Sequence, residues 1–111
     1  MPNDCYNELT ITTHSELDLN DIVTHELMNK YPIEHIHQKG KQGIKFTVIT
    51  PWRPDVAWLT DIRNKYPFVW IKNIWRTEDG FAGVWISKHN QPIQALEWDD
   101  MSLEDLHYFF E

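Results

Sequence analysis

With 111 residues the chain has room for one hydrophobic core, and we expect a single domain over residues 1–111. Its composition, 41% hydrophobic and 24% charged, is typical of a globular protein, although six tryptophans are many for this length. The net charge of −7 produces a field that repels nucleic acid and anionic membranes. The one cysteine excludes an intramolecular disulfide, and no signal peptide or membrane-length apolar run is present, so we expect a cytoplasmic protein.

The first half of the chain predicts one helix and three strands. Alternating polarity and β-branched runs are typical of strands, which we expect at 5–13, 33–38 and 44–50. Apolar residues at helical spacing predict a helix over 19–30, which Asp18 or Asn20 would cap by accepting a hydrogen bond from a free backbone N–H.

The second half is organised around an aromatic-rich stretch at 68–88. Asp79-Gly80 in its middle predicts a tight turn, because glycine takes the positive φ that such a turn requires. This gives strands at 68–76 and 81–88, with one more strand near 93–98. A helix is expected at 54–65, and a short terminal helix should start at the capping residue Ser102.

Taken in order, the elements from 5 to 76 give βαββαβ, the split order of a ferredoxin-like domain. The tetrapeptide Asn-Lys-Tyr-Pro occurs at 29–32 and again at 64–67, each time between a helix and a strand, and so divides the chain into two similar halves. We therefore predict an α+β fold: a ferredoxin-like antiparallel sheet with an added hairpin strand and a short C-terminal helix.

Several residues carry a resemblance to a known group of proteins. They are Met1-Pro2-Asn3, Cys5, Asn7, Leu9, Ile11-Thr12, Tyr66-Pro67, Trp75 and Asp79-Gly80-Phe81-x-Gly83. This pattern resembles small bacteriophage and prophage proteins of unknown function, which commonly begin Met-Pro-Asn-Trp-Cys-x-Asn and carry a ferredoxin-like domain. Asp4 and Thr13 stand where that group has Trp and Gly. The resemblance implies a phage origin and a fold, and it implies no activity.

Two patterns in the sequence contain residue types that could form a chemical site. His35 and His37 share one strand face at a spacing that metals use, but the sequence specifies no third ligand, so we expect solvent-facing histidines and no metal. Cys5 begins a core strand, where we expect an apolar buried thiol rather than a nucleophile. We expect no cofactor, no catalytic residues and no enzymatic activity.

The segment Gly80–Trp85 partly matches the RNA-binding strand motif in which exposed aromatics stack on bases. Asp79 and Gly83 replace a basic and an aromatic position of that motif. Cations that could still form a local stripe beside Trp70, Phe81 and Trp85 are Lys39, Lys41, Lys45, Lys72, Arg76 and Lys88. Single-stranded nucleic acid or a nucleotide on the sheet face is therefore the alternative function, with Lys72, Arg76 and Lys88 as its binding residues.

The main hypothesis is a small phage accessory protein that binds another protein, such as a host or defence factor, without chemistry. It is motivated by the excess of aromatic surface over what three short helices would cover. The residues expected to contact the partner are Trp52, Trp70, Phe81, Trp85 and Trp98. The strand at 33–38, as an exposed edge, could also pair with its copy in a homodimer.

Overall fold

Six strands build one antiparallel sheet in the computed structural model, which describes residues 3–27 and 30–110. They are β1 (Asp4–Thr12), β2 (Ile33–Lys39), β3 (Gly43–Pro51), β4 (Trp70–Thr77), β5 (Ala82–Ser87) and β6 (Gln94–Glu97). Their order across the sheet is β2-β3-β1-β4-β5-β6, and all neighbours are antiparallel. The α+β class and the antiparallel sheet are confirmed, whereas this six-stranded order differs from the predicted ferredoxin-like topology.

Helices accompany the sheet in three places within the described residues. They are α1 (Glu16–Asp21), which continues as a π-helical segment (Ile22–Leu27), α2 (Val56–Lys65) and α3 (Leu103–Phe110). A single 3₁₀ turn, Trp98–Asp100, connects β6 to α3. No helix of these residues is long and apolar enough to cross a membrane.

Each helix begins at a side chain that accepts a hydrogen bond from a free backbone N–H. Ser15 Oγ accepts from the N–H of Asp18 at 3.2 Å, so the predicted caps Asp18 and Asn20 were wrong: the helix begins earlier than residue 19. Residues 28 and 29 of the predicted helix lie outside the described chain. Ser102 caps α3 as predicted, and Asp55 caps α2.

The helices α1 and α2 pack on one face of the sheet, which we call the covered face. It is apolar because alternate residues of each strand point to the same side. Its buried cluster comprises Leu9, Ile11, Ile44, Phe46, Val48, Ile71 and Trp85 from the strands with Leu19, Ile22, Leu27, Trp58, Leu59 and Ile62 from the helices. Burying one such side chain contributes about 1.5–3 kcal/mol, so this face accounts for most of the fold's stability.

Hydrogen bonds join the members of a short polar row that crosses the covered face. Asn7 Nδ2 donates to the carbonyl oxygens of Cys5 and Val48 and to Thr50 Oγ1, at 3.0–3.2 Å. Asn7 Oδ1 accepts from Asn73 Nδ2 at 2.9 Å. Because a buried amide without partners is costly, this row fixes the register of β3, β1 and β4 against one another.

The opposite face of the sheet, which we call the open face, is covered only in part. Phe110 of α3 lies 5.1 Å from the ring of Trp98 and 5.7 Å from the Arg76 guanidinium, and Val84 beneath this region is buried. The β4–β5 turn has Gly80 at φ +93°, which confirms the predicted role of Asp79-Gly80. The rest of the open face, across β3, β1, β4 and β5, is left to solvent.

Candidate functional site: a basic groove on the open face

Two lysines face each other across β1 in the middle of the open face. Thr10 of β1 is opposite Lys45 of β3 on one side and Lys72 of β4 on the other. Strands lie about 4.8 Å apart, so the backbones that carry these two lysines are about 10 Å apart. Lys72 is in turn opposite Ile86 of β5, and Lys88 follows at the end of that strand. The sheet register thus gathers positive charge that is scattered in the sequence.

Three adjoining cavities run across this face at its Thr12 end. The first, about 320 Å³, is lined by Lys39 and Lys45 among others. The second, about 450 Å³, shares Thr12 and Gly43 with the first. The third, about 630 Å³, shares Trp70 with the second and includes Lys88. We call these cavities, together with Lys72 between them, the basic groove.

Trp70 is the central aromatic side chain of the basic groove. Its ring is 48% exposed, and the Lys88 ammonium lies 5.6 Å from the ring centroid on the β5 side. Phe68, also exposed, contacts the ring of His89 at 4.7 Å, and His89 Nδ1 lies 3.0 Å from the Pro67 carbonyl oxygen. The groove therefore combines flat apolar rings with flexible cations.

Within residues 3–27 and 30–110, no Asp or Glu lines any of the three cavities. The nearest carboxylate on the same face of β1 is Glu8, two residues before Thr10 and opposite Thr47 and Ile74. Among residues 3–27 and 30–110, the groove lysines form no salt bridge: the ion pairs found there join Arg53 to Asp79 and Lys65 to Glu26. The groove is consequently basic although the whole chain is acidic.

The acidic residues that set the net charge lie mainly elsewhere in the fold. Four are in α1 and its π-helical continuation. Asp55 caps α2 and Asp61 lies within it, and others occupy the β4–β5 turn or precede and begin α3. Exposed charges are screened beyond about 10 Å at moderate salt. A ligand held against the open face therefore responds to the groove lysines more than to carboxylates on the helical layer.

The residues expected for nucleic-acid binding separate into two groups. Lys72 and Lys88 belong to the basic groove. Arg76 does not, because it lies four residues further along β4 from Lys72 and its guanidinium stacks on Phe110 of α3. Arg76 thus helps to hold the C-terminal helix on the sheet.

The residues expected to contact a protein partner separate as well. The prediction that Trp85 contacts a partner was wrong. Its side chain is 3% exposed, because strand alternation places it on the covered face within the core. Trp70 lies in the basic groove. Trp52, Phe81 and Trp98 are each about half exposed and lie at the opposite end of the sheet, which we call the loop end.

The loop end is held together by Arg53. Its guanidinium lies 4.4 Å from the Phe81 ring and 3.6 Å from Asp79. The hydroxyl of Thr77 donates to Asp79 and, with Arg53 nearby, lowers the pKa of this carboxyl. Tyr6 donates to Glu78 Oε1 at 3.2 Å, which raises the pKa of the Tyr6 hydroxyl. The cation at this end is therefore already engaged within the protein.

Cys5 and the two strand histidines have the surroundings expected from the sequence. Cys5 is fully buried, and its burial raises the pKa of the thiol, which disfavours the nucleophilic thiolate. His35 and His37 are exposed, their rings lie 4.6 Å apart, and His37 Nε2 lies 2.7 Å from Thr47 Oγ1. Within the described ranges, no group of three or more His, Cys, Asp or Glu side chains could hold a metal ion.

The edge strand β2 is exposed along most of its length, as expected. Its pairing with β3 shifts register between Ile33 and His35 and again between Ile36 and Gln38. Such bulges disfavour pairing with a second sheet edge. Homodimerisation through β2 stays a prediction, and the two register shifts make such pairing less favourable.

Sequence reasoning named most of the groove cations but missed how they meet. It did not identify Thr12, Gly43 or Phe68 as lining residues, nor the burial of Trp58. The signal that could have identified the groove is the position of Lys45 and Lys72 on either side of Thr10. Recognising it requires knowledge of the strand register. Comparison of the chain with protein-family models, with curated proteins and with solved structures found no match.

Proposed function

We propose that the protein is a non-catalytic binding protein whose basic groove binds single-stranded nucleic acid. The proposal rests on one observation: lysines surround an exposed tryptophan on a sheet face whose cavities have no carboxylate among their described lining residues. Nonspecific single-strand binders combine a positively charged groove that follows the phosphates with aromatic rings that stack on bases.

The fold supports this use of the open face. We infer a ferredoxin-like unit from β1 to β4, since the order β2-β3-β1-β4 separates each helix-connected pair of strands by one antiparallel strand. In this arrangement the helices cover one face and leave the other for a ligand. The extension by β5 and β6 adds Ile86 and Lys88 to that surface.

The resemblance of the N-terminal residues to small phage proteins supports a role as a phage accessory protein in the host cytoplasm. A binding protein without catalytic chemistry fits this role, since Cys5 is buried and no histidine of the described residues belongs to a group of three or more potential metal ligands. Phage origin and cytoplasmic location are parts of the same proposal.

A protein partner is the second candidate, and the loop end favours it. Trp52 and Phe81 are exposed there although Arg53 and Asp79 hold this region in a defined arrangement. Exposed, ordered aromatic side chains are the usual anchors of protein interfaces. This surface lies away from the groove, so the two candidates are separable by mutation.

The test of the proposed function is a salt titration of oligonucleotide binding. A labelled single-stranded 12-mer is titrated with wild-type protein and with the triple variant K45Q/K72Q/K88Q, by fluorescence anisotropy at several salt concentrations. Each lost phosphate contact reduces the slope of log K against log salt by about 0.7, so we expect the slope to fall in magnitude by about 2 and the affinity at low salt to fall at least about tenfold.

The matched control is K30Q/R63Q/K65Q, which also removes three positive charges. Two of them are on α2 and the third is on the residue before Tyr31. We expect this control to bind nearly as tightly as the wild type. Circular dichroism confirms that both triple variants are folded. Equal losses in the two variants, or no binding by the wild type at low salt, would contradict the proposal.

A further inference from the structure

We infer that Trp70 inserts between two successive bases of the bound strand, so that the preferred ligand is a single strand of weakly stacked, pyrimidine-rich sequence. This inference rests on the proposed function and specifies its ligand. It starts from the position of one side chain between two cavities.

Trp70 is the residue shared by the cavities of about 450 Å³ and 630 Å³. The first lies towards β1 and β3, with Thr12 and Gly43 in its lining, and the second lies towards β5, with Ile86 and Lys88. Because β4 lies between β1 and β5, the indole separates the two cavities across the sheet. Both volumes fall in the range of small-molecule sites, so each has room for one base.

Both sides of the indole are suited to a base with a phosphate nearby. On the β5 side, Lys88 lies 5.6 Å from the ring centroid and, when a base takes that place, its flexible chain can move to the adjoining phosphate. On the other side, the exposed ring of Phe68 borders the cavity. Lys72 lies next along the open face of β4, two residues from Trp70, where a phosphate between the two bases would pass.

The insertion has a cost that depends on the sequence of the ligand. Two neighbouring bases must lose their contact with each other before each can stack on the indole. Purine runs stack strongly and pyrimidine runs weakly, so the loss is smaller for pyrimidines while the gain from indole stacking and lysine contacts is similar. Sequence preference in such sites arises from stacking strength and backbone flexibility rather than from base-edge hydrogen bonds.

The same geometry disfavours duplexes. Bases in a duplex are paired and stacked, and unstacking them costs a few kcal/mol per step. The groove lysines can contact the phosphates of a duplex, but a duplex has no separated bases between which the indole can insert. We therefore expect a duplex of equal length to bind only through its phosphates.

The experiment compares the single strands dT12 and dA12, an abasic 12-mer that keeps the sugar-phosphate backbone, and a 12-base-pair duplex. Each is titrated with wild-type protein and with Trp70→Ala, Trp70→Phe and Trp52→Ala at one low salt concentration. Trp52→Ala is the matched control, since it removes an exposed indole from the loop end. Trp70→Phe keeps a stacking ring and guards against a folding defect in Trp70→Ala.

For the wild type we expect dT12 to bind at least about fivefold more tightly than dA12, the abasic strand or the duplex. Trp70→Ala should lose at least about fivefold in affinity for dT12, because one stacked base contributes about 1–3 kcal/mol, and should bind all four ligands similarly. Trp70→Phe should keep part of the preference, and Trp52→Ala should keep all of it.

The outcomes separate this inference from the proposed function. Binding in which the affinity for dA12 equals or exceeds that for dT12, or a dT12 preference that survives in Trp70→Ala, overturns the insertion while the nucleic-acid role stands. Binding of none of the four ligands by the wild type overturns both.

Discussion

The basic groove and the loop end both expose tryptophan, yet they differ in the charges around it. Trp70 lies among lysines whose cavities are lined by no carboxylate of the described part of the chain. Trp52 and Phe81 lie beside Arg53, which is already stacked and paired with Asp79, and beside the acidic β4–β5 turn. An exposed aromatic ring therefore does not by itself indicate which class of ligand binds. The unpaired charges near the ring do indicate it.

The same comparison explains why net charge misleads for this protein. The total of −7 predicts repulsion of nucleic acid, but it averages over surfaces that face in different directions. Carboxylates on α1 and in the C-terminal segment dominate the sum, while the open face near Thr12 is basic. Exposed charges farther from a ligand than the screening length contribute little, so the charges next to the ligand govern its binding.

The largest effect is expected from a substitution in β5, on the loop-end side of the sheet, which should lower the free energy of unfolding. A Cβ at Gly83 would lie 2.6 Å from the Leu96 carbonyl oxygen and 2.6 Å from a ring carbon of Trp75. Gly83→Ala must therefore shift β5, β6 or Trp75, and we expect it to lower the free energy of unfolding by about 1–3 kcal/mol. The measurement is chemical denaturation followed by circular dichroism.

Gly40→Ala is the matched control in the β2–β3 turn, where Gly40 lines the first cavity of the groove. A Cβ there meets no heavy atom within 4 Å, and we expect the free energy of unfolding to change by less than about 1 kcal/mol. A Gly83→Ala variant as stable as the wild type would show that β5 and β6 are packed more loosely than described. The folded fraction of both variants should retain oligonucleotide affinity.

A smaller effect is expected from removing the cation of the loop end. Arg53→Gln loses the contact with Phe81, which contributes about 0.5–1 kcal/mol, and the exposed ion pair with Asp79, which adds little. We expect this small loss of stability and unchanged affinity for dT12, because Arg53 is outside the groove. A fall in dT12 affinity as large as that of Lys88→Gln would erase the distinction between the two surfaces.

Local sequence signals predicted most elements of the fold. The alternation in β1, the apolar spacing of α1 and α2, the Asp79-Gly80 turn and the Ser102 cap depend on neighbours along the chain, and these predictions are confirmed within the described residues. The first helix cap was wrong, because Asp18 lies inside a helix that Ser15 already begins. Several acceptable capping residues stood close together, so the sequence did not distinguish among them.

Individual residues of the candidate site were predictable from the sequence, but their arrangement was not. Lys72, Lys88 and Trp70 were named from composition and spacing, but whether Lys45 faces Lys72 depends on the register of β3, β1 and β4. That register is fixed by contacts distant in sequence, such as the hydrogen bond from Asn73 to Asn7. Trp85 was misassigned for the same reason, since both faces of the 68–88 hairpin are apolar and one of them is the core.

The measurement that tests the central claim most directly is a two-dimensional ¹H–¹⁵N spectrum of the tryptophan indoles during addition of dT12. The chain has six tryptophans, and replacing each of Trp52, Trp70 and Trp98 by Phe assigns the exposed ones. If the basic groove is the binding surface, the Trp70 resonance moves while those of Trp52 and Trp98 stay in place. Movement of Trp52 or Trp98 with Trp70 unchanged would contradict the account.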